Sequence, residues 1–126
     1  MAVLDSSIFV AALHSEDTLH ERGKTVLAEI EKPIEVPEYV AVETATVLTR
    51  VAGKAAANAF VRSLFDNRDI LILLSSPEQF AATADRFLSS NGKLSFVDCT
   101  LLALSPTHTI ITFDKTLARA IESQKK

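Results

Sequence analysis

A single cysteine, Cys99, rules out an internal disulfide and leaves no thiolate cluster for a metal. No histidine-bearing motif supports it as a thiol nucleophile, so it reads as a small core residue. Tryptophan is absent and tyrosine occurs once, as Tyr39, which offers little aromatic surface for stacking bases. The phenylalanines, Phe9, Phe60, Phe65, Phe80, Phe87, Phe96 and Phe113, fall largely on core positions of helices and strands. The longest aliphatic run, Ile70 to Leu74, is far short of the ~20 residues needed to span a bilayer. The N-terminus has no basic stretch followed by a long apolar one, so no secretion signal is read there. A cytoplasmic protein with no membrane partner is the expectation. His14, His20 and His108 are scattered and form no helical pair, which argues against a histidine metal site; His20 suits a surface or a helix start. No repeat, low-complexity tract or Pro/Gly/Ser-rich linker divides the chain, so residues 1–126 are expected to form a single domain.

What is present is an ordinary globular composition, 48% hydrophobic and 23% charged, with enough chain for a real core. A net charge of −3 argues against nonspecific coating of nucleic acid. Its distribution is uneven. Residues 1–45 carry nine acids and three bases, whereas residues 46–126 carry ten bases and seven acids. Arg50, Lys54 and Arg62 lie in an acid-free stretch from Thr46 to Phe65, which suits either a phosphate-contacting surface or a solvated helix face.

Short apolar segments at 2–5, about 34–36, 70–74 and 109–113 read as strands covered on both faces. Helical patterns fill 6–13, 17–31, 38–51, 54–66, 77–90, 96–104 and 115–123. Ser76-Pro77-Glu78-Gln79 has the form of a capping box, and Thr18-Leu19-His20-Glu21 is a second candidate. Gly53 separates two helices, and Asn91-Gly92 stops another. The alternation predicts an α/β sandwich with a parallel sheet. In such folds ligands gather outside the carboxyl ends of the strands.

Asp98 is the anomaly, a carboxylate in the apolar run Phe96-Val97-Asp98-Cys99-Thr100-Leu101-Leu102-Ala103-Leu104. It must face water, cap the helix or meet a cation. Asp5 and Asp114 each follow a strand and would share one crevice if those strands are neighbours. Each has a plain alternative: Asp5 and Asp114 as helix caps, Asp98 in a capping box with Ser95. On the helix at 38–51 the core stripe reads as Val40, Thr44, Val47, Leu48 and Val51, with Glu43 on its flank. The plain alternative for Glu43 is an exposed helix glutamate. Clustered carboxylates repel unless a cation compensates. Oxygen donors select hard ions, so Mg²⁺ or Mn²⁺ is expected rather than Zn²⁺. Nuclease chemistry follows naturally, while a phosphatase or a cation-binding module is also consistent. A hydrolase with an aspartyl nucleophile at Asp5 lacks the usual second aspartate two residues on, where Ser7 stands.

Four strings carry a family resemblance over essentially the whole chain. They are Val3–Leu13, His20-Glu21-Arg22-Gly23, Leu94–Asp98 and Ile111–Ala118, with Glu43 in its helix between them. Together they resemble the PIN-domain ribonucleases, in particular the single-domain toxins of VapBC toxin–antitoxin systems. The resemblance implies a three-layer α/β/α sandwich whose first strand is central and adjoins the strand ending at Asp114. It implies Mg²⁺- or Mn²⁺-dependent RNA cleavage by a metal-activated water. The acidic pocket would be Asp5, Glu43, Asp98 and Asp114, with Asp5 and Asp98 as direct ligands. Ser7 and Thr112 would be supporting hydroxyls, and Arg50, Lys54, Arg62, Lys93 or Lys115 would contact phosphate. A homodimer and inhibition by a small antitoxin, its tail in the groove, are further implications. A non-catalytic PIN-like module binding RNA or protein is the rival, and the intact acid quartet weighs against it. Many members carry a short strand after the last helix; this sequence runs only to Gln124-Lys125-Lys126, so that edge strand is expected to be missing.

Overall fold

The computed structural model describes residues 1–125. Its elements are β1 (Ala2–Leu4), α1 (Ser6–Leu13), α2 (His20–Glu29), β2 (Ile34–Pro37), α3 (Glu38–Val51) and α4 (Lys54–Asp66). They continue with β3 (Ile70–Leu73), α5 (Pro77–Ser89), α6 (Phe96–Leu104), β4 (Thr109–Ile111) and α7 (Lys115–Gln124). The four strands form one parallel sheet in the order β3-β2-β1-β4, sandwiched between helices in an α/β/α arrangement. β1 is central, and Leu4 stands opposite Ile111 of β4. That register, extended by the bond from Asp5 N–H to the Ile111 carbonyl (3.0 Å), brings Asp5 and Thr112 to the same rim.

Val3, Leu4 and Val36 from the inner strands are fully buried, with Ile8, Val40, Leu48, Phe60, Leu101 and Leu117 from the helices around them. Burying each such side chain contributes roughly 1.5–3 kcal/mol. The rings of Phe9 and Phe60 meet tilted at 5.2 Å, tying α1 to α4. Helices α1 and α2 approach so closely at Gly23 that a Cβ there would lie 2.8 Å from the backbone nitrogen of Ala12. Gly53 enters α4 at φ 96°, a conformation that favours glycine.

Local chemistry sets most boundaries. Ser76 and Gln79 form the expected capping box, with proline at the first turn of α5. The second expected box does not form. Asp17 instead accepts from Leu19 N–H in a turn, and α2 starts at His20 rather than near residue 17. His20 is the helix start expected of it, and its Nδ1 also bonds the Ala11 carbonyl at 2.8 Å. Strands 1 and 4 end earlier than the apolar runs suggest, because Asp5 becomes the cap of α1 and Thr112 and Phe113 turn their polar groups to the rim.

Three expectations about burial fail. Val51 lies on the exposed side of α3. Strand β3 is at the sheet edge, so Leu71 and Leu74 are exposed rather than covered on both faces. Phe65, Phe80 and Phe87 are exposed, whereas Phe9 and Phe60 are core residues. Among the described residues no strand follows α7, so β4 remains the sheet edge.

Candidate active site

The chain turns directly from β1 into α1, and this turn holds the centre of the site. Asp5 is only 4% exposed. As the cap of α1, its Oδ1 accepts from Ser6 N–H at 2.7 Å. Its Oδ2 accepts from the hydroxyls of Ser7 (3.0 Å) and Thr112 (2.7 Å). Ser7 Oγ in turn accepts from Phe113 N–H, and Thr112 Oγ1 from Asp114 N–H. The supporting roles expected of Ser7 and Thr112 therefore have direct partners in Asp5.

Ser6, which the sequence did not single out, links Asp5 to α3. Its hydroxyl donates to Glu43 Oε1 at 2.5 Å and lies 3.4 Å from Asp5 Oδ1. A hydroxyl has one proton. The shorter contact takes it, so Asp5 Oδ1 keeps an open lone pair. No position besides Glu43's own helix flank in the sequence predicted this bridge.

Asp98 takes the capping role weighed for it and keeps one carboxylate oxygen free of it. It completes a capping box with Ser95: its N–H donates to Ser95 Oγ (3.0 Å) and its Oδ2 accepts from Ser95 N–H (2.9 Å). Its Oδ1 has no hydrogen-bond partner among the described residues. Asp114 caps α7 through Oδ1, which accepts from Thr116 and Leu117 N–H. Capping and clustering are compatible here, because each cap uses one carboxylate oxygen.

The electrostatics place the four acids in one neighbourhood. Burial pushes the Glu43 carboxyl above its ordinary value; the Ser6 bond opposes this, while Asp5, Asp98 and Asp114 push it further up. Burial likewise raises Asp98, offset by its bonds with Ser95 and reinforced by Asp114 and Asp5. Cys99 is buried, and burial and the Asp98 charge raise its thiol despite Arg86, so it stays protonated.

Among the described residues no three carboxylates, histidines or cysteines close into a ready-made cage for one ion. The donor set nevertheless fits a hard cation. It is all oxygen, it is electrostatically strained without a positive charge, and open oxygens remain on Asp5 and Asp98. Mg²⁺ commonly takes one or two carboxylates and fills its other positions with water.

The five basic candidates are all exposed and form no ion pair among the described residues. Lys115 adjoins Asp114 and Lys93 lies in the loop before Ser95. Arg50, Lys54 and Arg62 belong to the far part of α3 and to α4, and nothing in the contacts draws them to the acids. Arg22, not among those candidates, lies 5.1 Å above the ring of Phe113, whose own N–H is held by Ser7. Four of the few aromatic side chains are gathered in one place. Tyr39, Phe80, Phe87 and Phe96 meet ring to ring at 5.5 to 6.3 Å along the starts of α3 and α6 and the exposed side of α5. Residues from three helices assemble this cluster, so no local pattern announces it.

The family model for the PIN domain matches residues 2–122. Among solved structures, the crystal structure of Mycobacterium tuberculosis VapC20, described as a sarcin–ricin loop cleaving toxin, superposes with a TM-score of 0.87 at 20% identity, covering 95% of each chain. No curated protein matches the chain by sequence.

Proposed function

The chain belongs to the PIN-domain family, and from that premise we propose that it is a metal-dependent endoribonuclease, the toxin of a toxin–antitoxin pair. One observation carries the reading: Asp5 and Asp114, the caps of α1 and α7, lie near enough to Glu43 of α3 and Asp98 of α6 to add to the burial that raises both of those carboxyls. Folding alone does not call for that strain, and a divalent cation relieves it.

Asp5 and Asp98 would hold Mg²⁺ or Mn²⁺ through their open oxygens, with Glu43 and Asp114 binding its waters or completing a second site. The ion supplies an activated water and neutralises charge on the phosphodiester. The chain's own residues do the positioning. Ser7 and Thr112 fix Asp5, Ser6 ties Glu43 to it, and Ser95 aims Asp98. Lys93, Lys115 and Arg22 are the cations nearest in the chain or in space to contact RNA phosphate, with Arg50, Lys54 and Arg62 as a more distant positive surface. Residues 1–126 act as one domain, in the cytoplasm, as a homodimer inhibited by a small antitoxin. No helix among the described residues is long and apolar enough to cross a membrane. The solved relative's action on an RNA loop makes structured RNA the substrate to try first.

Purified protein is incubated with structured RNA and Mg²⁺ or Mn²⁺, alongside Asp5→Asn and Asp98→Asn. Cleavage is expected only for the unaltered protein and only without EDTA. Cleavage that survives both substitutions or the chelator rejects the mechanism. Tight RNA or antitoxin binding with no cleavage under any condition favours the non-catalytic module instead.

A further inference from the structure

A cavity of about 270 Å³ lies between α5, α6 and the ends of β2 and β3. Tyr39, Pro37, Leu73, Ala103 and His108 are among the residues that line it. Tyr39 is one turn of α3 before Glu43, and residues four apart on a helix are neighbours on its surface. The same ring meets Phe96 edge-on at 6.0 Å, and Phe96 opens the helix that carries Asp98 two residues later. Tyr39, which lines the cavity, therefore adjoins both helices that carry Glu43 and Asp98, and this side of the cavity is taken as its mouth.

The lining states what can enter. It contains no lysine or arginine, while Glu38 and Glu78 border it, so a phosphate is repelled. The walls are mainly apolar, which admits a flat, uncharged ring. Polar groups stand at intervals for its edges. Gln79 uses its Oε1 to accept from Ser76 N–H and has its amide NH₂ left to donate. His108 also lines the cavity, with its Nε2 3.4 Å from Glu35 Oε2, an oxygen outside the lining. The volume lies just under the roughly 300–1,000 Å³ of pockets for drug-sized ligands, which suits one ring system rather than a length of chain.

We propose that this cavity takes an unpaired nucleobase adjoining the scissile phosphate, so that the protein cuts RNA where a base is free to leave its stack. The inference rests on the nuclease reading above and adds the substrate feature that reading lacks. The phosphate stays outside with the acids and their cation, and the base crosses Tyr39 into the cavity. Base–aromatic stacking tolerates any base, so preference among bases falls to the polar groups deeper in.

Tyr39 is the only tyrosine and there is no tryptophan, so intrinsic emission reports on this mouth alone. Adenosine, guanosine, cytidine and uridine are each titrated into metal-free protein, with correction for absorbance. At least one nucleoside is expected to quench the emission saturably. Asp98→Asn should keep that quenching and Ala103→Phe, which fills the cavity, should lose it. A second measurement uses the unaltered protein and an RNA cut at one known position. Replacing the base beside the cut by an abasic site should lower kcat/KM about tenfold or more, with a neighbouring abasic site as control. Quenching by no nucleoside, or quenching untouched by Ala103→Phe, overturns the base pocket even if RNA is cleaved. Emission that instead changes with protein concentration, in step with dimer formation, gives the cavity to a second copy and also overturns it. Absence of cleavage with intact nucleoside binding retires the nuclease reading and leaves the pocket standing.

Discussion

Thr112 shows how much one hydroxyl can hold. It donates to Asp5 Oδ2 and accepts from Asp114 N–H, so a single side chain spaces two of the four acids. Thr112→Val keeps the shape and removes both bonds. The unpaired groups should lower stability by about 1–3 kcal/mol in a urea titration. Loss of support around a metal-binding carboxylate typically costs 10–100-fold, and RNA cleavage should fall within that range. Asp98 gives the opposite sign. Its carboxyl and that of Glu43 are raised above their ordinary values, by burial first and by the other acids. Stability from such groups is fully present below their unfolded-state values and is lost as pH rises through the folded-state ones. Metal-free protein should therefore melt progressively lower as pH climbs from the ordinary carboxylate range, around 4, to neutral. Asp98→Asn retains an oxygen for the Ser95 bond and removes the charge. Its metal-free melting temperature should exceed that of the unaltered protein at neutral pH, and the difference should shrink around pH 4. Thermal melts across that range decide it.

At the level of elements, two capping boxes make a controlled pair. Ser76 and Ser95 each start a helix by the same device. Replacing either with alanine should lower stability by about 1 kcal/mol. Only Ser95→Ala should also reduce cleavage: the Ser95 N–H still reaches Asp98 Oδ2, but losing the Oγ that accepts from Asp98 N–H loosens the first turn that carries Asp98, whereas Ser76 touches none of the acids. Comparing unfolding and cleavage for both variants separates folding from function. Gly23→Ala tests the α1–α2 contact. Alanine favours an isolated helix by up to about 1 kcal/mol, but a Cβ 2.8 Å from Ala12 N must push α1 aside. A net loss of about 1–3 kcal/mol is expected, as for other overpacked sites.

The same elements show what a sequence reveals. Helices with strong periodicity and explicit caps were legible to within a residue or two, α5 and α6 above all. So were Asp5 and Asp114 as caps of α1 and α7, because an aspartate just before a helical pattern suits the cap position. The start of α2 was not, since Asp17 and Thr18 offer equally plausible turn and cap chemistry. The exposure of Leu71, Phe65, Phe80 and Phe87 was illegible for another reason: a side chain's hydrophobicity does not say which strand is at the edge or which helix face has a partner. Ser6 bridging to Glu43, and the Tyr39 cluster, depend on contacts between residues far apart in the chain. Local patterns carry no record of these.

For the whole molecule, the proposed cation would link stability to metal binding, since it would offset the cost of charging Glu43 and Asp98. A ligand that binds only the folded state stabilises it by about 2.7 kcal/mol at a hundredfold excess over its Kd. Mg²⁺ or Mn²⁺ should raise the melting temperature of the unaltered protein and leave that of Asp5→Asn nearly unmoved, with Na⁺ at matched ionic strength as the control. A rise of equal size in both proteins would place the ion elsewhere.

The pairing of β1 with β4 also sets a schedule. Asp5 waits for the hydroxyl of Thr112, a partner 107 residues further along the chain. During synthesis the first strand emerges long before the one that completes its rim. Asp5, Glu43 and Asp98 have all been made by then, yet the wall that holds Asp5 in place does not exist. An interrupted translation product stopping before residue 109 therefore has three of the four acids but not the site. On the proposed reading, cleavage should begin only once the chain has grown past Asp114.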